Sequence, residues 1–233
     1  MSKRAIILAG GKGTRLRPYT ITLPKSLVPV GDIPILEIII RQLKKHGFTH
    51  ITITVSHLAE IIKAFFGDGS KWNLRIDYTI ETKALSTMGP LTLVEDLPDN
   101  FLVMNGDVLT DLNYSKFYSN HVAGNCLFTI ASNAREEKID YGVLKCNEDN
   151  QLISFEEKPS FKFLVSMGVY IVNKKVVEYI PKDTFFGFDH LMNKMIELNH
   201  FPNVFQYNGF WLDIGRPDDY EKAIEGIKNF KIL

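Results

Sequence analysis

The sequence predicts an α/β fold, a three-layer sandwich in which helices cover both faces of a mixed, mostly parallel central sheet. Three observations lead to this class. The apolar run at residues 4–8 is typical of a buried first strand. Strand-like and helix-like segments then alternate through the first half of the chain, as in parallel sheets. The second half holds short strands with brief, hairpin-like connections, so we expect a mixed sheet.

The first-half elements follow from hydrophobic spacing and from the residues that end helices. Apolar residues recur at helical spacing between Ile35 and Leu43, and His46-Gly47 ends that helix. The β-branched residues at 51–55 then favour a strand. The predicted elements are a helix over 34–45, a strand over 51–55, a helix over 57–66, a strand over 75–80, a short helix over 90–96 and a strand over 101–105.

The second half completes a Rossmann-like three-layer sandwich. The predicted strands cover 127–130, 142–145, 152–155 and 169–172, and the predicted helices cover 188–198 and 217–230. No repeat, low-complexity tract or linker interrupts the 233 residues. We therefore predict a single domain over 1–233.

Composition excludes several classes of partner. Lys plus Arg and Asp plus Glu both number 27, so no overall charge attracts nucleic acid or an anionic membrane. No apolar stretch approaches the roughly 20 residues of a membrane span, and the opening does not resemble a signal peptide. Cys126 and Cys146 lack CxxC spacing. We expect a cytoplasmic protein in which both thiols are reduced and lie in the core.

A glycine-rich loop, Ala9-Gly10-Gly11-Lys12-Gly13-Thr14-Arg15, follows the first strand directly. Glycines permit a sharp turn and the close approach of a ligand, and successive backbone N–H groups make an anion site. Lys12 and Arg15 add positive charge. This loop is predicted to hold phosphates, although its spacing fits neither G-x-G-x-x-G nor a P-loop. A tight turn without a ligand is the alternative.

The continuation Leu23-Pro24-Lys25-Ser26-Leu27-Val28-Pro29 makes the pattern specific. With the loop, it resembles the signature of sugar-1-phosphate nucleotidylyltransferases, L-A-G-G-x-G-T-R-L followed by P-K-x-L-x-P. The chain is most similar in character to short, single-domain, mannose-1-phosphate guanylyltransferase-like members. The resemblance implies Mg²⁺-dependent transfer of a nucleoside monophosphate from an NTP to a sugar 1-phosphate. It also implies a nucleotide-binding half over about 1–125 and a sugar-phosphate-binding half over about 126–233.

The resemblance assigns the triphosphate to the loop and to Lys25. Arg15 is expected to hold the β- and γ-phosphates through its bidentate fork, and Lys25 to stabilise charge at the α-phosphate. By base rate alone Lys25 is a solvated loop lysine. The expected nucleotide contacts here are Leu8, Ala9, Gly10, Gly11, Gly13, Thr14, Arg15 and Lys25.

Two aspartates match the metal ligands of the resembled family. Asp107 follows an apolar strand and is therefore expected at the carboxyl edge of the sheet, where open α/β folds bind ligands. Asp213 lies in Phe210-Trp211-Leu212-Asp213-Ile214-Gly215, with a helix-capping role as the alternative. Two carboxylates suffice for Mg²⁺, which takes its other ligands from phosphate and water. Asp111 is expected to be a helix N-cap.

Base recognition is expected at Glu81, Ser86, Thr87 and Gly89. The common family form of 85–89 is L-G-T-A-G, and here Ser86 and Met88 replace its first glycine and its alanine. Glu81 can accept hydrogen bonds from both N1–H and N2–H₂ of guanine, whereas uracil or thymine offers one donor. This difference favours GTP.

Three later segments match the sugar-phosphate site of the resembled family. Lys158 is expected to pair with the sugar phosphate and Glu157 to accept from sugar hydroxyls, although the two alone look like a solvated surface pair. The glycines are expected to leave room beside the sugar ring. The expected residues are Asn105, Tyr141, Gly142, Glu157, Lys158 and Gly168.

Taken together, Arg15, Lys25, Asp107 and Asp213 are the predicted catalytic residues, and the sugar phosphate oxygen is the predicted attacking group. None of the six histidines belongs to a triad or metal-binding pattern. The alternatives are the same chemistry with dTTP, UTP or CTP, a heptose or a non-sugar phosphate such as phosphocholine, and a catalytically silent regulatory homologue that binds nucleotide sugar. A homodimer is possible, because the apolar helix around Ile35–Ile40 suits either a core or an interface.

Overall fold

The computed structural model describes residues 3–11, 13–56, 58–215, 219–221 and 223. Its strands are β1 (Lys3–Leu8), β2 (Pro29–Val30), β3 (Ile33–Pro34), β4 (Phe48–Val55), β5 (Arg75–Ile80), β6 (Asn100–Asn105), β7 (Val108–Thr110), β8 (Phe128–Lys138), β9 (Val143–Cys146), β10 (Leu152–Glu156), β11 (Ser160–Asn173), β12 (Asn203–Gln206) and β13 (Trp211–Asp213). Its helices are α1 (Ile35–Lys45), α2 (Ala59–Phe66), α3 (Tyr114–Ala123) and α4 (Phe188–Glu197).

One seven-stranded sheet organises the described residues, in the order β12-β8-β11-β6-β1-β4-β5. β1 lies between β6 and β4 and is parallel to both. Only β11 runs antiparallel to its neighbours β6 and β8. The prediction of a mixed, mostly parallel sheet is therefore confirmed. Because β1, β4 and β6 are parallel, their carboxyl ends share one edge, and the loops that follow them lie side by side.

Two hydrophobic clusters, one on each face of the sheet, make the three layers. Along β1, Ala5 and Ile7 belong to the cluster that contains α1, whereas Ile6 belongs to the other. This alternation is the period of two that a strand buried on both faces requires. Ile35 and Ile39 of α1 have no exposed surface within the chain. The apolar face of α1 is therefore part of the core of this chain. Of the two roles left open from the sequence, core and interface, the structure shows the core.

The structure differs from the predicted elements where burial is weak. β8 and β11 are much longer than the predicted strands over 127–130 and 169–172. Their outer parts pair with each other but are largely exposed, so the sequence shows no hydrophobic alternation there and the prediction missed them. The predicted helix over 90–96 is a short 3₁₀ helix, Gly89–Leu93. Of the predicted helix over 217–230, the structure describes only residues 219–221 and 223, and these are helical.

Three smaller expectations are also settled. Asp111 is not the N-cap of α3: the side chain of Asn113 caps it, accepting a hydrogen bond from the Lys116 N–H at 2.9 Å. The prediction of two core thiols is wrong, because Cys146 is exposed on β9 and Cys126 is only partly buried. Within the described part of the chain, no helix combines the length and the apolar character needed to cross a membrane.

Candidate active site

The glycine loop leaves the carboxyl end of β1 and is tied to the neighbouring strand β4. The Ala9 N–H donates to the Thr54 carbonyl at 2.9 Å, and the Gly10 carbonyl accepts from Ser56 Oγ at 2.6 Å. Apart from its chain neighbours, no described residue has an atom within 4 Å of the position that a Cβ on Gly11 would occupy. The loop is thus anchored before Gly11 and open at Gly11, as close approach by a ligand requires.

Gly13 is a glycine for a different reason. Its φ of +59° is in the left-handed region, and a Cβ there would lie 2.9 Å from the Lys25 Cβ. Its carbonyl accepts from Thr20 Oγ1 at 2.7 Å. Thr14 and Arg15 follow in an exposed 3₁₀ turn. Gly13 therefore allows the loop to pack against the segment that carries Lys25.

Lys25 and Asp107 form an ion pair between this segment and the loop after β6. The Gly106 N–H donates to the Leu8 carbonyl at 2.9 Å, which holds the ends of β6 and β1 together and places Asp107 at the shared edge. The two side chains are 13% and 20% exposed. The second oxygen of Asp107, Oδ1, is buried and accepts no hydrogen bond from the described residues.

Asp213 joins this pair through backbone pairing. β13 pairs with β7, so that Asp213 stands opposite Val108, and the Ile214 N–H donates to the Asp107 carbonyl at 3.0 Å. Burial, and secondly the charge of Asp107, raise the pKa of Asp213, while Lys25 and Arg15 oppose the shift. The two carboxylates are distant in sequence but close enough in the structure for the charge of Asp107 to act on Asp213.

The arrangement fits a divalent cation. Asp107 offers a buried carboxylate oxygen that no described residue contacts by a hydrogen bond. The pKa of Asp213 is raised first by burial and second by the charge of Asp107, and a cation would neutralise that charge. The described residues contain no group of three or more His, Cys, Asp or Glu side chains suited to a metal. Two carboxylates completed by phosphate oxygens and water are the set that Mg²⁺ prefers.

Arg15 lies near Asp213 and the backbone that follows it. A Cβ on Gly215 would lie 3.6 Å from both terminal nitrogens of Arg15, so the guanidinium lies close to that backbone. The positive charges of Lys25 and Arg15 both act to lower the pKa of Asp213. The four residues predicted to be catalytic are thus neighbours in the structure, and their roles stay predictions.

A cavity of about 700 Å³ opens beside these groups. Its lining contains eight of the predicted site residues: Leu8, Gly10, Gly11, Glu81, Ser86, Thr87, Asn105 and Asp107. A smaller cavity of about 40 Å³ adjoins it, bounded by Gly11, Lys25 and Asp107 among others. The glycine loop and the ion pair therefore border a space large enough for a nucleotide.

Glu81 is packed against the glycine loop at the end of β5. A Cβ on Gly10 would overlap the Glu81 carboxylate, so a larger residue at this position would displace that carboxylate. Burial raises the pKa of Glu81, and the Leu85 amide and the Thr54 hydroxyl oppose that shift.

Ser86, Thr87 and Gly89 contact the segment that leads into α4. Ser86 has a φ of +64°, which explains the glycine that the family pattern has there. The Thr87 hydroxyl accepts from the Phe188 N–H at 2.9 Å. A Cβ on Gly89 would lie 2.9 Å from the Thr184 carbonyl oxygen. The visible contacts of Thr87 and Gly89 are therefore structural, since they hold the start of α4.

The predicted sugar-phosphate residues form two groups. Gly168, with a φ of +71°, lies against Asn105, whose Nδ2 would be 2.7 Å from a Cβ on that glycine. Gly142 lies under the Phe155 ring, and a Cβ there would be 3.1 Å from Glu157 Oε2. Of the described residues that line the cavity, Asn105 alone comes from this set.

Two members of the second group lie on exposed chain. Tyr141 is 78% exposed, and Lys158 has a φ of +47°. Neither side chain lines the 700 Å³ cavity as the structure describes it. The structure thus places Asn105 at the cavity with Gly168 against it, and it brings Gly142 and Glu157 close to each other.

Ser56, Lys83 and Phe185 also line the cavity and were not predicted. Ser56 follows β4 directly, so the edge argument that selected Asp107 also predicts Ser56 at the same edge. Lys83 lies close to Glu81 in sequence. Phe185 carries no local signal, because its position depends on pairing with residues about a hundred positions earlier.

A parallel-stranded sheet with a glycine loop and paired aspartates at its carboxyl edge is the architecture of nucleotide-binding α/β enzymes. The chain belongs to the nucleotidyl transferase family, whose profile matches residues 4–229. The resemblance stated from the sequence is confirmed at this level.

Curated relatives and solved structures agree with that membership. The chain is 32% identical to a UTP–glucose-1-phosphate uridylyltransferase of Synechocystis sp., over 98% of this chain and 64% of that protein. It is 34% identical to a mannose-1-phosphate guanyltransferase of Hypocrea jecorina, over 93% and 62% respectively. It thus spans just under two thirds of the length of these relatives. The crystal structure of HddC from Yersinia pseudotuberculosis is 28% identical, with a TM-score of 0.74 over 97% of this chain and 99% of HddC.

Proposed function

We propose that this protein transfers a nucleoside monophosphate from an NTP to a sugar 1-phosphate and releases pyrophosphate. The observation that carries the proposal is the juxtaposition of Lys25, Asp107 and Asp213 beside the open backbone of Gly11. Phosphoryl transfer needs charge neutralisation and positioning more than covalent chemistry, and these groups supply both.

Each charged group has a distinct part in the proposed reaction. Asp107 and Asp213 would hold Mg²⁺, which neutralises phosphate oxygens when it is bound. Lys25 stabilises charge at the α-phosphate, and Arg15 holds the departing pyrophosphate. The attacking oxygen belongs to the sugar phosphate and is already anionic at neutral pH. The reaction therefore needs no general base.

Before substrate arrives, Lys25 is paired with Asp107. A triphosphate entering beside Gly11 brings several negative charges to the same place, so Lys25 can exchange its carboxylate partner for a phosphate. This exchange would free Asp107 for the cation. The ion pair thus keeps both partly buried groups compensated while the cleft is empty, which avoids the cost of an isolated buried charge.

GTP is the NTP that we propose first. Glu81 borders the cavity, and its carboxylate can accept from both N1–H and N2–H₂ of guanine. The mannose-1-phosphate guanyltransferase relative and the structure of HddC complexed with GMP-PN support this choice. The relative named as a UTP–glucose-1-phosphate uridylyltransferase makes UTP the second candidate.

The test is pyrophosphate release with Mg²⁺ for GTP, UTP, dTTP, CTP and ATP, each against mannose, glucose and heptose 1-phosphates. Release with GTP supports the full proposal. Release with another NTP contradicts the guanine assignment and leaves the reaction class intact. No release with any pair, together with tight binding of a nucleotide sugar, contradicts the enzymatic proposal and favours a regulatory homologue.

A further inference from the structure

Phe185 forms part of the wall of the 700 Å³ cavity, and it is far along the chain from all the other residues that line it. Its side chain is 60% exposed, and it is the only aromatic side chain among the described residues of the lining. An exposed aromatic ring in a concave site is apolar surface that a flat ligand can cover. No part of the proposed reaction uses it.

The backbone around Phe185 is fixed to the loop that carries Glu81. This 183–188 segment pairs along residues 83–89 by one ion pair and several hydrogen bonds. The contacts are Lys83 Nζ to Asp183 Oδ2 at 2.6 Å, the Phe186 N–H to the Leu85 carbonyl at 3.0 Å, the Met88 and Gly89 N–H groups to the Phe186 carbonyl at 3.0 and 2.9 Å, and the Phe188 N–H to Thr87 Oγ1 at 2.9 Å. The position of Phe185 is therefore set by residues 83–89, which include the expected base contacts Ser86, Thr87 and Gly89.

His190 supports the ring from the protein side. The rings of His190 and Phe185 are perpendicular, with centroids 6.4 Å apart, and the ring of His190 also lies 5.4 Å from that of Phe186. The Gly187 N–H donates to His190 Nδ1 at 3.0 Å, which fixes the histidine. Phe185 thus has a fixed backbone and an aromatic neighbour, and more than half of its side chain is exposed.

We propose that Phe185 stacks on the nucleobase of the bound nucleotide and strengthens its binding. The inference rests on the proposed function, because it takes the base to lie beside Glu81. Every base has a flat π-face, so stacking adds affinity that depends little on which base is bound. The hydrogen-bond donors of the base are recognised separately, by Glu81. Phe185 is then a nucleotide-affinity residue and takes no part in the chemical step.

The first experiment compares Phe185→Ala with Phe185→Tyr and with Phe201→Ala in the full chain. Phe201 is also strongly exposed, at 68%, but does not line the described cavity. We expect Phe185→Ala to raise the KM for the NTP by about tenfold or more, with kcat nearly unchanged. Phe185→Tyr keeps the ring and should restore the KM, and Phe201→Ala should leave it unchanged.

The second experiment needs no turnover. Phe185→Trp places a fluorophore at the cavity, with Phe201→Trp as its control, and GTP and UTP are titrated into each. Stacking predicts quenching that saturates with nucleotide at position 185 only. An active enzyme in which Phe185→Ala leaves the KM unchanged overturns this inference and not the proposed function. Saturable quenching at 185 in a protein that releases no pyrophosphate contradicts the proposed function and supports the inference.

Discussion

Replacing Gly11 with alanine tests the phosphate assignment most directly, because the structure predicts opposite effects on folding and on binding. Apart from its chain neighbours, no described residue has an atom within 4 Å of the added Cβ, and the backbone there is outside the left-handed region. The variant therefore folds without strain, and the smaller entropy of its unfolded chain is worth about 0.4–1 kcal/mol of added stability. Gly11 is not needed for the fold.

The same methyl group would stand where the triphosphate is proposed to lie. Gly11 borders both the large cavity and the small one next to Lys25 and Asp107. A displacement of the reacting phosphate by about 1 Å costs on the order of 100-fold in rate. We expect Gly11→Ala to lose activity by about that factor while its melting temperature stays equal or rises.

Gly31→Ala is the matched control. A Cβ there also meets nothing within 4 Å, but the φ of +65° makes alanine cost about 1–2 kcal/mol. Its activity per folded molecule should be that of the wild type. Pyrophosphate release and thermal unfolding are measured for both variants. Wild-type kcat and KM in Gly11→Ala would refute the assignment of this loop to the triphosphate.

Three further predictions concern charge, pH and the sugar side of the cleft. Asp107→Asn keeps the shape of the site but removes a proposed metal ligand, so turnover should fall by at least about 100-fold without unfolding in a melting experiment, whereas Asp111→Asn should keep its activity. Burial lowers the pKa of His121 to about 4, and because protonation then opposes folding, the wild type should lose about 2–3 kcal/mol as the pH falls from 6.5 to 4. Denaturant unfolding of His121→Asn should show a flatter dependence over that range, and an equal loss would contradict this origin. Gly168→Ala would press on Asn105 Nδ2 from a φ of +71°; the KM for the sugar phosphate should rise more than that for the NTP in steady-state assays, and equal changes would argue against a sugar-side position.

The residues at the carboxyl edge of the sheet could be predicted because buried strands and the glycines that follow them are recognisable from short stretches of sequence. The run before Gly10 and the run before Asp107 are apolar on both faces, so each predicts a buried strand, and parallel strands bring their carboxyl ends together. That geometry alone puts the glycine loop next to Asp107. The juxtaposition of Lys25 with Asp107 came from the family pattern and not from spacing.

Other parts of the molecule depend on partners that are distant along the chain. The outer ribbon of β8 and β11 is stabilised by its own pairing from Ser160 opposite Lys138 inward, and exposed residues on both faces leave no periodic signal. Phe185 reaches the cavity only because the Phe186 backbone pairs with Leu85 and Met88. Local propensity and hydrophobic period contain no information about such pairing.

The motif around Asp213 shows how a strand of only three residues can position a carboxylate that we propose to be catalytic. The indole N–H of Trp211 donates to the Met167 carbonyl at 2.9 Å, and Thr110 Oγ1 donates to the Phe210 carbonyl at 2.7 Å. In a strand, residues two apart project to the same side, so fixing Trp211 also fixes the direction of Asp213. The pairing of β13 with β7 sets the distance from Asp107, since a register shift of one residue would turn the carboxylate to the opposite face. Backbone register and one indole anchor, rather than packing around the carboxylate, therefore account for two aspartates a hundred residues apart sharing one site.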